Sequence, residues 1–476
     1  MKKLVKSLLC LVLTFSMLFL MFGCNDKTTS SSPSDTDTNV SQVESETNST
    51  ESETTSDSQS SNNETTTSTP TSNSSKRKSW AAVKKSMPSS LKNTTVEVFN
   101  WNPISEIPGA KKAVENFTKE TGIKVKWTTE SYSTFLSKLA SRVAANDSPD
   151  VVRLTSPLPG ALISLQDLST TNYDYTDAGW DKDIMKLYTV KGKQYGVTLV
   201  GTHMDSNRVM FYNKNLINEY ELADPYGLWK QNKWTLKTFL DYCRIFTKDA
   251  GTPAWGYGDP AKYLSMFGMP GAISYDGSKY VSMLNDTEFV KRAKESADFV
   301  NTEKIATKSW GYNEFEKGEA LFWTSSTIYA RLANTYFPKM KSSGVLGVVP
   351  MPTVDGQGKY YQGIHEAEAY GVAKGAKNAK AVGYFLRYFL DPANYSMSDF
   401  FCSKEAYEVW KFCSKQENKV YTYAFNGDYT LFGGRDFFED DMMSVPGAQI
   451  PQKIQEKGSL INTRIKRYNE QLSQVK

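Results

Sequence analysis

The sequence predicts an α/β protein built from two lobes, and three observations support this prediction. Strand-type and helix-type apolar patterns alternate from residue 96 onward, which is typical of a parallel sheet with right-handed crossovers. About 380 residues follow a long polar segment, and this length is enough for two lobes. A second series of helix and strand patterns then follows the first series.

The first series defines the predicted first lobe. Apolar residues at every second position predict strands at 96–100 and 123–127, and an apolar run predicts a third strand at 150–154. Apolar residues at helical spacing predict helices at 110–117 and 132–143 between them. The order is strand, helix, strand, helix, strand, so we expect a parallel α/β sheet here.

Helical patterns dominate the rest of the chain. Thr235 is the expected N-cap of a helix, and residues 289–300 line another. Residues 382–389 form an apolar stripe that we assign to a helix of the first lobe. The C-terminal part is expected to be helical as well.

The N-terminus predicts export and anchoring. Met1-Lys2-Lys3 is positively charged, and Leu8 to Phe22 is almost wholly apolar but short for a membrane span. Residues 1–23 therefore have the pattern of a signal peptide. Gly23-Cys24 resembles a bacterial lipobox, although Phe22 and Met21 differ from its usual residues, so Cys24 is the expected lipid attachment site. The alternative is an uncleaved anchor with an incidental cysteine, and either arrangement holds the protein on the extracellular face of the cell membrane.

Residues 24–92 are predicted to be a disordered tether rich in Ser and Thr, because such a composition buries too little apolar surface to fold. Two basic runs, Lys76-Arg77-Lys78 and Lys84-Lys85, lie before the folded part. These runs could bind nucleic acid, or they could be a connecting segment that faces solvent or lipid. Because the chain is expected to be exported, the connecting segment is favoured, and no nucleic acid partner is expected.

Charge, cysteine content and motifs give no sign of a charged partner, a metal or a cofactor. A net charge of +4 over 476 residues is too small to indicate a partner. Cys243 falls on an apolar helix face, whereas Cys402 and Cys413 could pair or stay free. With two histidines and no zinc-ligand spacing, nucleophile elbow or phosphate loop, we expect no metal and no cofactor.

Several segments together resemble one family. They are Ser148-Pro149-Asp150-Val151-Val152, Lys191-Gly192-Lys193-Gln194-Tyr195-Gly196-Val197, Tyr212-Asn213-Lys214-Asn215-Leu216 and Phe315-Glu316-Lys317-Gly318-Glu319-Ala320-Leu321. In residue identity and in their order along the chain, these segments are similar to family 1 extracellular solute-binding proteins. Members of that family are the carbohydrate receptors of bacterial ABC importers and include proteins of the maltose-binding-protein type. Thr198 departs from the family pattern, which usually has proline there.

The resemblance implies a two-lobed periplasmic-binding-protein fold of type II, with lobes joined by crossing hinge strands. It places residues 93–205 plus 348–390 in the N-terminal lobe and residues 206–347 plus 391–476 in the C-terminal lobe. The implied partners are a carbohydrate, expected to be an oligosaccharide, the permease subunits of an ABC importer, and the membrane through Cys24. The receptor is expected to be a monomer, with ATP bound by a separate ATPase.

Candidate ligand-binding residues of the first lobe lie where strands end, because ligands of open α/β sheets bind at the carboxyl ends of strands. Trp101 and Asn102 follow the first strand, Glu130 follows the second, and Arg153 lies at the end of the third. Trp101 could instead pack on its own lobe, and Arg153 could be a surface ion-pair partner.

The resemblance also supplies candidates later in the chain. It places Asp205 in a crossing loop that faces the cleft. It makes Trp255, Tyr257 and Asp259 an aromatic platform with an acidic partner, although a glycine-rich turn with core aromatics is the alternative. Trp323 ends a predicted strand and suits either the cleft or the core.

A last group combines carboxylates with an aromatic ring. At strand spacing, Glu366, Glu368 and Tyr370 share one face and suit the recognition of sugar hydroxyls; the alternative is a solvated edge strand. A secreted glycoside hydrolase could use Glu366 and Glu368 as its catalytic pair. We do not expect an enzyme, because catalytic carboxylates flank the scissile bond from opposite sides. The same fold could also bind a peptide, a polyamine or a metal.

Overall fold

The structure is a computed structural model that describes residues 76–202, 207–256, 264, 266–307, 311–363, 367–422 and 444–476. Within these ranges, helices and strands alternate along most of the chain. None of the helices in this part is both long enough and apolar enough to cross a membrane.

In the described ranges the strands are short and form two larger sheets and three small ones. In chain order they are β1 (Thr95–Asn100), β2 (Lys124–Thr129), β3 (Val151–Leu154), β4 (Leu165–Gln166), β5 (Thr189–Val190), β6 (Lys193–Gln194), β7 (Arg208–Asn213), β8 (Trp255–Gly256), β9 (Ile273–Tyr275), β10 (Tyr280–Ser282), β11 (Ala306–Thr307), β12 (Phe322–Ser326), β13 (Leu346–Pro350), β14 (Tyr360–Gly363), β15 (Ala369–Ala373) and β16 (Lys419–Thr422).

The helices range from a single turn to the long C-terminal helix. They are α1 (Trp80–Lys85), α2 (Ala110–Thr121), α3 (Phe135–Ala144), α4 (Pro159–Leu162), α5 (Lys182–Leu187), α6 (Lys214–Glu219), α7 (Pro225–Lys230), α8 (Leu236–Ala250), α9 (Thr287–Asn301), α10 (Tyr312–Glu316), α11 (Ile328–Arg331), α12 (Ala333–Tyr336), α13 (Pro338–Ser342), α14 (Ala379–Phe389), α15 (Lys404–Cys413) and α16 (Ile450–Gln474). The predicted N-cap Thr235 is confirmed, since its hydroxyl accepts from the backbone N–H of Thr238 at the start of α8.

The first sheet has the strand order β2-β1-β3-β15-β4. Strand β1 pairs in parallel with β2 and β3, as the alternation of strands and helices predicts. Strand β15 comes from much later in the chain and lies antiparallel between β3 and β4. It is therefore an interior strand, so the alternative of a solvated edge strand at this position is wrong. We call the sheet and its helices the first lobe.

The second sheet has the strand order β11-β8-β12-β7-β13 and, with its helices, forms the second lobe. Strand β7 lies at residues 208–213 and pairs antiparallel with both β12 and β13. All six residues of β7 are buried, because helices and neighbouring strands cover it. Strand β13 thus belongs to the second lobe, so the chain crosses to the first lobe after residue 350 and not at the expected residue 348.

The crossing between the lobes includes a small parallel sheet of β14 and β16. A buried polar cluster supports it. The Tyr360 hydroxyl donates to the backbone carbonyl of Cys413, and the Lys419 ammonium donates to the Asn207 side-chain oxygen. Because buried polar groups need partners, this cluster holds the crossing segments in one arrangement.

The predicted disordered tether ends earlier than residue 92. Residues 80–85 form α1, and residues 89–91 form a 3₁₀-helix. The correction has a physical reason: Trp80 packs against Tyr388 with ring centroids 4.8 Å apart, and Val83 and Leu91 are buried. This segment has the apolar side chains that the preceding Ser/Thr-rich part lacks.

The three cysteines in the described ranges, Cys243, Cys402 and Cys413, are not joined in disulfides. Cys402 and Cys413, for which the sequence left a disulfide open, therefore do not form one with each other. Burial raises the pKa of the Cys402 thiol to about 11, which disfavours its reactive thiolate form.

Candidate functional site

A groove of 610 Å³ lies between the two lobes. One wall comes from the segment after β1 and from the end of β3, and the other comes from α11 and α12, which follow β12. The groove therefore lies at the carboxyl ends of strands from both sheets. Its lining residues are Trp101, Asn102, Ser105, Glu106, Ile107, Pro108, Arg153, Ile328, Tyr329, Arg331, Leu332, Thr335 and Tyr336.

The first-lobe wall is organised around Trp101. Its indole contacts Tyr132 and Phe135, whose ring centroids lie 5.4 and 5.3 Å from its own with nearly perpendicular planes. The guanidinium carbon of Arg153 lies 4.2 Å from the centroid of the Trp101 ring. Arg153 also donates to the side-chain oxygen of Asn102 at 2.8 Å. The structure thus brings together three of the predicted site residues, Trp101, Asn102 and Arg153.

Glu368 belongs to the same group and lies directly before β15, the strand that pairs with β3. Arg153 pairs directly with Tyr370 across β3 and β15, so Glu368, two residues before Tyr370, is a diagonal neighbour on the same face. Its carboxylate accepts from Arg153 Nε at 3.1 Å and from a terminal guanidinium nitrogen at 2.6 Å. Burial raises the pKa of Tyr370, whose ring lies beside this pair.

The second-lobe wall consists of side chains that the sequence analysis did not single out. Tyr329 and Tyr336 line the groove with ring centroids 4.7 Å apart, and Tyr312 packs on Tyr336 at 5.0 Å. Burial, together with the neighbouring Tyr336 and Tyr312, raises the pKa of Tyr329. Arg331 is the charged residue of this wall. The available signal was position, because these residues follow the carboxyl end of a strand that stops at Ser326.

Trp255 and Trp323 are not brought to the groove. Trp255 is fully buried in the second-lobe core, where its indole N–H donates to the Thr324 hydroxyl at 2.8 Å. Trp323 packs in a core with Phe211, and its ring centroid lies 4.8 Å from that of Tyr329, which lines the groove. The expectation that these tryptophans face the ligand is corrected for the same reason in both: their neighbouring core side chains cover them.

Glu130 lies on the first lobe but turns back onto its own loop. Its carboxylate accepts from the Thr134 hydroxyl at 2.7 Å and from the Ser131 backbone N–H at 3.0 Å. These hydrogen bonds lower the pKa of Glu130. Of the other predicted positions, Cys24, Asp205, Tyr257, Asp259 and Glu366 lie outside the described residues.

Comparison with known proteins now identifies the family. Residues 102–395 match the model of the bacterial extracellular solute-binding protein family, which covers more than half of the chain. The chain belongs to this family. No protein with a curated description matches the solute-binding protein.

Solved structures resemble this solute-binding protein over nearly their whole lengths. A galacto-N-biose-/lacto-N-biose I-binding protein from Bifidobacterium longum, in complex with lacto-N-biose, has 18% identity and a TM-score of 0.58 and covers 79% of this chain and 98% of its own. An ABC substrate-binding protein from Listeria monocytogenes, in complex with cycloalternan, has 16% identity and a TM-score of 0.56 and covers 78% and 98%.

A third structure is an extracellular solute-binding protein from Staphylococcus aureus in complex with maltose. It has 15% identity and a TM-score of 0.56 and covers 79% of this chain and 98% of its own. At such identities the likeness shows the fold. The predicted two-lobed type II fold is therefore confirmed, and the family and its structural neighbours are binding proteins rather than enzymes.

Proposed function

We propose that this solute-binding protein is a carbohydrate receptor that captures a neutral oligosaccharide in the groove between its lobes. The observation that carries the proposal is the placement of aromatic rings on both walls. Trp101 comes from the first lobe, and Tyr329 and Tyr336 come from the second. A sugar ring presents a C–H face that an aromatic ring covers well, so opposed aromatics suit a bound saccharide.

The polar side chains complete the chemistry of the site. Asn102, Glu106 and Arg331 line the same groove and offer an amide, a carboxylate and a guanidinium to sugar hydroxyls. Such pairing is needed because a buried unpaired polar group costs about 1–3 kcal/mol. The charge of Arg153 is matched by Glu368, which favours a neutral ligand over an anionic one.

The size of the groove favours more than one sugar unit. Its 610 Å³ falls inside the range of about 300–1,000 Å³ that is usual for ligand pockets. The structural neighbours support the same class, since they are complexes with lacto-N-biose, cycloalternan and maltose. We take the oligosaccharide as the proposed ligand on these grounds.

Cleft closure follows from the two-walled site. A ligand that contacts both lobes binds the closed arrangement better than an open one, and it therefore shifts the population toward closure. We further propose that the closed receptor delivers its sugar to the permease subunits of an ABC importer. In this proposal Cys24 carries the lipid anchor, residues 25–75 act as the tether, and the receptor works as a monomer on the extracellular face of the membrane.

Calorimetry on the purified full-length chain tests the binding step. The panel contains maltotetraose, lacto-N-biose, xylotetraose and cellotetraose, with tetra-alanine and spermidine as non-sugar probes. We expect at least one sugar to bind with a dissociation constant in the micromolar range or below, and no response to the other two probes. Binding of spermidine or tetra-alanine without any sugar would overturn the carbohydrate proposal.

The same samples distinguish a receptor from a glycoside hydrolase. Each sugar is incubated with the protein, and new reducing ends are measured over a day. A receptor returns the sugar unchanged, whereas steady release of reducing ends that depends on protein concentration would show hydrolysis. A control sample with heat-unfolded protein excludes spontaneous hydrolysis.

A further inference from the structure

The Arg153 guanidinium is almost completely enclosed, with 2% of the residue exposed. All three of its nitrogens have an acceptor: Nε and one terminal nitrogen donate to Glu368, and the other terminal nitrogen donates to Asn102. A guanidinium with its donors used in this way has little capacity left for a ligand hydroxyl. The guanidinium also stacks on the face of Trp101, with its central carbon 4.2 Å from the ring centroid.

Trp101 is therefore held from several directions. Arg153 covers one face of the indole, and Tyr132 and Phe135 contact it edge to face. An arginine stacked on an aromatic ring is attracted by the ring quadrupole. The position of the Arg153 guanidinium thus helps to decide the angle at which Trp101 faces the groove.

The position of Arg153 depends in turn on Glu368. The Glu368 carboxylate supplies the counter-charge, and without it Arg153 keeps only the neutral side-chain oxygens of Asn102 and Asn100. A buried charge that loses its partner is strongly destabilised. The guanidinium would then move toward water in the groove and leave the indole.

We propose that Glu368 is a positioning residue: its carboxylate holds Arg153 against Trp101, and it affects ligand binding only through that indole. This inference rests on the proposed carbohydrate function and assigns a role within the same site. It differs from direct recognition of a sugar hydroxyl by Glu368, which the sequence alone suggested.

The chain offers a matched control. Glu97 and Arg142 form a second carboxylate–guanidinium pair in the first lobe, with an N–O distance of 2.9 Å. Arg142 also lies over an aromatic ring, that of Phe99, at 5.6 Å from its centroid. Neither residue of this pair lines the groove or contacts Trp101 directly, so Glu97→Gln removes a carboxylate–guanidinium pair that lies outside the proposed contacts.

The first measurement needs no ligand. The emission of Trp101 is obtained as the difference between a protein with Trp101 and the matching Trp101→Phe protein, and its quenching by acrylamide is recorded. We expect Glu368→Gln to raise this quenching about twofold or more, and Arg153→Lys to do the same, because an ammonium does not stack as a planar guanidinium does. Glu97→Gln should leave it unchanged. Unaltered quenching in Glu368→Gln overturns the proposal.

The second measurement is a double-mutant cycle with the panel sugar that binds the wild-type protein most tightly. Glu368→Gln should weaken binding by at least fivefold in the wild-type background and by less than twofold in the Trp101→Ala background. Equal losses in both backgrounds would show a direct contact with the sugar and overturn the proposal. Where Trp101→Ala binds too weakly to be measured, the quenching result decides. If no panel sugar binds the wild type, the carbohydrate function fails, while the quenching still tests the positioning role.

Discussion

Trp101 occupies a wall that two cavities share. It lines the 610 Å³ groove and also a 20 Å³ cavity whose lining includes Tyr132, Thr155 and Ser156. Tyr132 is 43% exposed, so part of its ring is accessible to a ligand. A ligand long enough to pass Trp101 would therefore meet the Tyr132 ring next.

Tyr132→Ala is expected to change the dependence of affinity on sugar length. Affinity for a four-unit sugar should fall by about 1 kcal/mol, roughly fivefold, because one aromatic contact is lost. Affinity for the matching two-unit sugar should stay within a factor of two. Calorimetry with both lengths measures this difference, and Tyr132→Phe, which keeps the ring, is the control. An equal loss for both lengths would place Tyr132 elsewhere in recognition.

Trp101 and Trp255 are expected to respond to alanine substitution in opposite ways. Trp101→Ala should weaken sugar binding by about 2 kcal/mol, roughly thirtyfold, and should lower the free energy of unfolding less than Trp255→Ala does, because its indole is only half-buried. Trp255→Ala should lower the free energy of unfolding by about 3–5 kcal/mol, because it opens a cavity in the second-lobe core. Thermal unfolding and calorimetry separate the two effects. A fully stable Trp255→Ala protein that no longer binds sugar would contradict this assignment.

Sequence reasoning predicted the first-lobe part of the site better than the second-lobe part. Trp101 and Asn102 follow β1, and Arg153 lies near the end of β3, so the rule of carboxyl strand ends pointed to all three. Trp255 came from the family resemblance and is the first residue of β8, and no local pattern reveals which aromatic side chain a helix will cover. In the structure Phe239 of α8 packs on it at 5.0 Å. That contact depends on tertiary packing and has no local sequence signal.

At the scale of elements, α1 acts as a docked segment on the first lobe. The Trp80 indole N–H donates to Glu120 of α2 at 2.8 Å, and Lys84 donates to the same carboxylate. Just before the helix, Arg77 pairs with Asp391 and Lys78 pairs with Asp174. Three residues of the two basic runs thus contact acidic side chains of the protein itself, and their spacing alone could not have shown this.

Glu120→Gln is expected to loosen α1 in a way that depends on pH. Burial raises the pKa of Glu120, but hydrogen bonds from Trp80 and Lys84 outweigh it and hold the pKa below its usual value. Likewise, the hydrogen bond from Lys78 lowers the pKa of Asp174 to about 2. Carboxyl groups with lowered pKa stabilise docking above their ordinary pKa near 4, and this contribution is lost as the pH falls toward 2.

Hydrogen exchange of the α1 amides measures that effect. At pH 7, Glu120→Gln should exchange about threefold faster than wild type, a small factor because the pair is partly exposed and screened by solvent. At pH 2.5 the difference should become smaller, since protonation of the wild-type carboxyl removes the same charge that Glu120→Gln removes. Glu115→Gln on the same helix α2 is the control. A difference that grows on acidification would contradict the assigned role of the Glu120 carboxylate.

The order of elements in the first lobe was predictable, whereas some pairings later in the chain were not. The run β1, α2, β2, α3, β3 has local periodicity, and right-handed crossovers leave few alternatives. Strand β13 has no such constraint. Its buried residues suit either sheet, and its place beside β7 is decided by long-range contacts.

At the scale of the whole molecule, α16 contacts both lobes. Near its start, the backbone N–H of Gly447 donates to Asp298 of α9, in the second lobe, at 2.9 Å. At its end, the Lys191 ammonium of the first lobe donates to the backbone carbonyls of Ser473 and Val475 at 2.9 and 3.0 Å. The expectation that the C-terminal part belongs to the second lobe alone is therefore incomplete. Such a helix restrains how far the lobes can separate.

Lys191→Met is expected to widen the unliganded receptor and to weaken its affinity. Without the ammonium, the end of α16 loses two charge-assisted hydrogen bonds to the first lobe. Open conformations then become more populated, and ligand binding must reverse that change. We expect affinity to fall by about 1 kcal/mol, roughly fivefold, because Lys191 is exposed and its bonds are partly screened.

Small-angle X-ray scattering measures the conformational part of this prediction. The radius of gyration of unliganded Lys191→Met should exceed that of wild type, while the sugar-saturated proteins should have equal values, because closure depends on contacts in the groove. Lys193→Met, an exposed substitution on the same turn, should match wild type in both states. A weaker affinity with an unchanged unliganded radius would mean that α16 acts on the site without restraining the lobes.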